Sequence, residues 1–137
     1  MSEAGEWAER GRGARRGGDD PEALRCYQQA AALYEAAGDR MRLAHTLRHC
    51  SALQARLGEG MGALESIARA YAIYEANEPL PLEMANTFRV GALAHEAAGE
   101  PWKAEREWLE ALALYTQEGV QAGVEEATAR LKKLGVG

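Results

Sequence analysis

β-Branched residues are scarce in this chain: Val, Ile and Thr together number ten and never cluster, whereas Ala alone occurs 28 times. Ala loses no side-chain entropy in a helix, and the shortage of branched residues leaves no run suited to a strand. Two cysteines, Cys26 and Cys50, are too few for a disulfide framework and lack metal-ligand spacing, so buried thiols in a reducing compartment are expected. No apolar stretch has the length of a membrane span. Glu3, Glu6 and Glu9 precede any apolar run, which argues against a secretory signal and for a cytoplasmic protein. Positive charge is also in deficit, with a net charge of −5, and this disfavours general attraction to nucleic acid or anionic lipid. A length of 137 residues suits one domain with a real core.

What is present is a repeat. Ala23, Tyr27, Ala30 and Tyr34 recur forty residues on as Ala63, Ile67, Ala70 and Tyr74, and again as Ala104, Trp108, Ala111 and Tyr115. The spacing i, i+4, i+7, i+11 lies along one helix face, small residues alternating with large. A second amphipathic helix precedes each of the later two copies, through Leu43, Ala44, Leu47 and Cys50, and through Met84, Ala85, Phe88 and Ala92. Gly17-Gly18-Asp19-Asp20-Pro21, Gly58-Glu59-Gly60 and Gly99-Glu100-Pro101 break the chain inside each pair, with Asp20 the expected helix cap. Gly38-Asp39, Asn77 to Pro81 and Gly119 break it between pairs.

These residues resemble the tetratricopeptide repeat. Its first-helix pattern is matched loosely by Trp7-x2-Arg10-Gly11-x2-Ala14, Leu47-x2-Cys50-Ser51-x2-Gln54 and Phe88-x2-Gly91-Ala92-x2-His95. Its second-helix pattern is matched well by the three Ala-x3-large-x2-Ala segments. Glu35, Glu75 and Thr116 stand where the family places proline, and the period is about forty instead of 34, as in its longer-helix variety. The resemblance implies an all-α, right-handed α-solenoid of antiparallel helix pairs, about seven helices in one domain. Repeats are expected over about residues 3–38, 40–78 and 80–119, with a closing helix over about 121–134. Five glycines in or around the first helix predict that residues 3–16 fray easily, with Trp7 the main anchor.

In that family the first helix of each pair lines a concave surface where partners bind. On this frame Arg48, Arg89 and Arg130 repeat every 41 residues, with Arg12, Arg16, Arg56, His45 and Asn86 on or near the same surface. Neither Arg48 nor Arg89 has a carboxylate three or four residues away to pair with. The second helices carry Glu35, Glu65, Glu75, Glu105, Glu107 and Glu110, which predicts an acidic outside and a net basic groove. Guanidinium groups bind carboxylates bidentately, so an acidic peptide or tail is the expected ligand. The competing reading is that these arginines are solvated or pair with acids on adjacent helices. Ala8, Arg12 and Ala52 do not reproduce the family's Lys and Asn carboxylate clamp, so chaperone tails are not implied.

Other chemistry finds less support. His45 and His49 are spaced i, i+4, but no glutamate of a zinc-protease helix lies between them and no third ligand is evident. Glu105, Glu107, Glu125 and Glu126 fall on predicted solvent faces, unlike catalytic carboxylates. Neither a phosphate loop after a strand nor a nucleophile with a spaced histidine and acid is recognisable. Arg10, Arg12, Arg15 and Arg16 read as a partly ordered arm, not a nucleic-acid site. The expectation is a protein-binding scaffold that is not an enzyme and needs no cofactor or metal. Self-association into a homodimer is the alternative, with the closing helix as its contact.

Overall fold

The computed structural model describes residues 2–135 as seven helices joined by loops of two to four residues, with no strand among them. They are α1 (Glu3–Arg16), α2 (Asp20–Ala37), α3 (Arg40–Arg56), α4 (Gly60–Ala76), α5 (Pro81–Ala97), α6 (Pro101–Glu118) and α7 (Gln121–Lys133). Loops this short make consecutive helices antiparallel neighbours. Each helix packs on the one before it and the one after, and α3 also packs directly on α5. The fold is an all-α helical repeat.

Local chemistry sets the helix boundaries. Ser2, Asp19 and Asp39 cap α1, α2 and α3 by accepting from the backbone N–H three residues on. The cap of α2 is therefore Asp19, one residue before the expected Asp20. Asp20 becomes the first helical residue, and its carboxylate turns to Arg56 of α3 at 3.1 Å. Gly38 and Gly119 end α2 and α6 in the left-handed conformation (φ +71° at each). The same joint between α4 and α5 places Glu78 at φ +49°, a conformation that costs a non-glycine residue.

The core comprises two clusters that meet on α5. One runs from Ala4 to Ala94 and is filled by Tyr27, Leu43, Leu47, Leu53, Ile67 and Tyr74. The other, between α5, α6 and α7, is mostly alanine around Trp108, Tyr115 and Leu131. The repeated alanines are buried in both, which lets helix backbones approach closely while the aromatic residues fill the gaps.

The first helix differs from expectation in two ways. Arg10, Arg12, Arg15 and Arg16 belong to the regular helix α1 and form no partly ordered arm. Trp7 is only half-buried, with the Arg10 and Arg25 guanidiniums 4.8 and 5.5 Å from its ring. The deepest residues of α1 are Ala4, Ala8 and Gly11, and a Cβ at Gly11 would stand 3.0 Å from the Tyr27 ring. Small size at one face thus holds this helix.

The closest backbone approach is at Gly60, where a Cβ would lie 2.7 Å from the Ala98 Cα and 2.9 Å from the Ala97 carbonyl carbon. Backbone atoms cannot turn aside, so Gly60→Ala should lose about 1–3 kcal/mol, as overpacking does. Gly13→Ala is the control. Nothing lies within 4 Å of its added methyl, and it should gain roughly 0.5–1 kcal/mol from helix propensity. Urea unfolding of both variants reads the opposite signs; equal effects would refute the contact.

Candidate functional site

The odd-numbered and even-numbered helices differ in charge. α1, α3, α5 and α7 carry twelve Arg and Lys against seven Asp and Glu; α2, α4 and α6 carry four against nine. α3 is the extreme, with Arg40, Arg42, Arg48, Arg56, His45 and His49 and no acid. The candidate site is built on this helix and its neighbours.

Arg48 is half-buried and donates to the Tyr74 hydroxyl at 3.2 Å, with its guanidinium 5.8 Å from that ring. The same hydroxyl meets His45 Nδ1. Arg can only donate, so the phenol accepts from Arg48, and with the imidazole Nε2 turned to a carboxylate the tautomer that serves both ring nitrogens takes the phenol's proton at Nδ1. The neutral imidazole then carries its proton on Nε2, which faces Glu83 of α5 at 3.7 Å. Burial, followed by the Arg48 charge, lowers the His45 pKa and keeps this tautomer neutral. Burial also pushes the Tyr74 phenol up to about 12. Asn86 plays the part of His45 in the next pair, accepting from Tyr115 across the same interval of 29 residues. These two residues therefore tie α4 to α3 and α6 to α5.

The other predicted arginines have carboxylate partners. Arg89 engages Glu126 of α7 through Nε and a terminal nitrogen, a bidentate pair that raises its pKa. Arg130 donates to Glu96 of α5 at 2.7 Å, with its guanidinium 5.8 Å from the Trp108 ring. Arg56 meets Asp20 at 3.1 Å, while Arg12 and Arg16 share Glu9 at 2.6 and 3.8 Å. Of the eight sequence-predicted residues, Arg48 is thus the one arginine without a carboxylate partner among the described residues. Arg89 and Arg130 latch α7 onto α5 and do not extend a row of free guanidiniums. Glu126 and Glu107 correct a second expectation. Both turn inward, Glu107 against His95, and burial raises the Glu107 pKa while His95 opposes it.

A hollow of about 320 Å³ opens between α1 and α3. Its polar lining is Arg12, Tyr27, Tyr34, Arg42, His45, Thr46 and His49. His49 stacks on Tyr27 with ring centroids 5.0 Å apart. Burial first, then Arg48, Arg15 and Arg12, bring its pKa down to about 4. The two histidines of the i, i+4 pair therefore go to different tyrosines. No group of three or more His, Cys, Asp or Glu among the described residues is placed to hold a metal ion. Cys26 and Cys50 are free and buried, and burial pushes the Cys50 thiol up to about 12.

Arg42, His49, Tyr27 and Tyr34 were not singled out from sequence as site residues. The absence of acid along α3 was a legible signal for the first two. Both tyrosines occupy repeat-packing positions, which conceals their part in the hollow. Large apolar side chains remain exposed at Met61, Leu80, Leu82, Trp102 and Leu109, none of them on α7. No helix of the described residues is long and apolar enough to cross a membrane. Neither the scan against protein-family models nor the search of curated proteins finds a match.

Proposed function

We propose that this protein is a binding module for an acidic segment of another protein, held on the odd-numbered helices around Arg48. The observation that carries the reading is the acid-free α3 with Arg48, which among the described residues pairs with no carboxylate. Such a group, half-buried beside neutral His45 and His49, attracts a carboxylate more strongly than one in open water would. The reading entails binding and positioning, with no chemical step and no cofactor. The tetratricopeptide resemblance supports it, since the expected concave surface falls on the same helices. Two buried free thiols suit a reducing compartment such as the cytoplasm.

The test is a titration of the protein with poly-glutamate at low and moderate salt, comparing wild type with Arg48→Glu. Loss of a charge-assisted hydrogen bond is worth about 1.5–3 kcal/mol, so affinity should fall roughly tenfold or more. Salt should weaken the wild-type complex. Equal binding by the variant, or binding indifferent to salt, would reject the reading. Arg89→Glu makes a poor probe, because it sets two carboxylates against each other and loosens α7. Self-association is the second reading. Exposed Met61 on α4 and Trp102 on α6 favour it over the closing helix, and a concentration-dependent mass in solution would register it.

A further inference from the structure

We propose that the hollow between α1 and α3 is a phosphomonoester subsite, taking the phosphoryl group of a phosphorylated residue within the acidic segment. This assignment rests on the binding reading above and names the ligand chemistry of the same site.

Three features of the hollow point to it. First, the charged and polar lining is two guanidiniums, two phenols, two imidazoles and a threonine hydroxyl. The hydroxyl is given to the Arg42 carbonyl and the His45 nitrogens to Tyr74 and Glu83, which leaves Arg12, Arg42, Tyr27, Tyr34 and His49 for a ligand. No carboxylate lines it, whereas the hollows between α5 and α7, α4 and α6, and α2 and α4 each contain a glutamate. Second, Tyr27 is 1 % exposed and its phenolic oxygen is buried with no hydrogen-bond partner. A buried donor without an acceptor is unfavourable, and because Tyr27 belongs to the lining, an oxyanion that displaces the side chains covering its hydroxyl would supply one. Third, Arg12 and Arg42 are held only by Glu9 and Asp39, each one turn back on or beside its own helix and standing outside the hollow. Exposed pairs of this kind are weak, so both guanidiniums are free to turn to a dianion.

The geometry favours phosphoryl over carboxylate. Donors reach the hollow from α1, α2 and α3, and a tetrahedral group with three free oxygens accepts from several directions where a planar carboxylate offers two oxygens. A dianion also gains more from the surrounding Arg12, Arg15, Arg42 and Arg48 charges than a monoanion does. His49 provides a readout. Its neighbours from every packed helix are Arg12 and Arg15 on α1, Tyr27 on α2, and His45 and Arg48 on α3, with no acid among them. An anion among these groups favours the imidazolium, so occupancy moves the His49 titration upward.

The experiment uses the full chain. Histidine resonances are followed by NMR against inorganic phosphate and against acetate at matched ionic strength. Two Glu-rich peptides, alike except for one phosphoserine in place of serine, are titrated in parallel. Phosphate should shift the His45 and His49 resonances saturably where acetate does not, and the phosphoserine peptide should bind at least tenfold tighter than its twin. Tyr27→Phe, which removes only the unpartnered hydroxyl, should leave the fold intact and reduce that advantage several-fold. Equal shifts by phosphate and acetate, or equal affinity of the two peptides, overturn the subsite and leave the acidic-segment reading standing. Indifference of the serine peptide to Arg48→Glu removes that broader reading instead, and the phosphate shifts then judge the subsite on their own.

Discussion

Trp108→Ala should destabilise the protein by about 3–5 kcal/mol, the range for removing a buried aromatic from a core. Trp108 is fully buried and is the largest side chain in a cluster otherwise built of alanines, Tyr115 and Leu131. Its indole N–H donates to Glu96 at 2.6 Å, and the other oxygen of Glu96 accepts from Arg130. One side chain thus ties α6 to α5, and through the shared carboxylate to α7. With total stabilities of only 5–15 kcal/mol typical of a domain, the variant stands near the limit of folding. Trp108→Phe separates the two contributions, since it keeps most of the volume and gives up one hydrogen bond to a carboxylate, worth about 1.5–3 kcal/mol. Urea unfolding followed by circular dichroism measures both. A loss below 1 kcal/mol for the alanine variant would mean that α5, α6 and α7 are held by something other than this residue.

Acid should weaken the protein before most carboxylates titrate. His49 is held neutral down to a pKa of about 4, against 6.5 in the unfolded chain. The unfolded state therefore takes up a proton that the folded state refuses. Stability from this group is fully present above pH 6.5, declines as pH falls from 6.5 to 4, and changes no further below that. At 1.36 kcal/mol per unit the total is at most about 3 kcal/mol. His45, also lowered by burial, acts in the same direction. Glu9, Glu22 and Asp39 are held below their ordinary values by Arg partners, so their support is lost only at lower pH. His49→Phe keeps the stack on Tyr27 and removes the titration. Unfolding midpoints from pH 7.5 to 4 should fall more gently for this variant, and parallel curves would show that His49 is not the responsible group.

The two predictions draw on different parts of what the sequence made legible. Trp108 was visible as the large member of a repeated small–large–small face, because helical periodicity places such residues together whatever lies opposite. Its tie to Glu96 was not visible, since Glu96 lies on another helix twelve residues away. The arginines show the same boundary. An ion pair three or four residues along a helix is readable, and Arg12 with Glu9 or Arg25 with Glu22 are of this kind. Arg89 with Glu126 spans 37 residues and Arg130 with Glu96 spans 34, so only the approach of α7 to α5 makes them partners.

The sequence by itself determined seven helices and their punctuation, because alanine content, glycine breaks and capping side chains act within a few residues of each other. It also determined the acid-free composition of α3. Tertiary structure alone decided which charges remain unpartnered, that His49 lies neutral against Tyr27, and that Tyr27 is left with a buried hydroxyl. Electrostatic pairing and desolvation depend on distance in space, and burial is a property of what neighbouring helices cover. A repeat read along the chain shows which residues are equivalent. The packing of one repeat on the next makes equivalent residues differ, so that Arg48 bonds a tyrosine hydroxyl while Arg89 bonds a carboxylate.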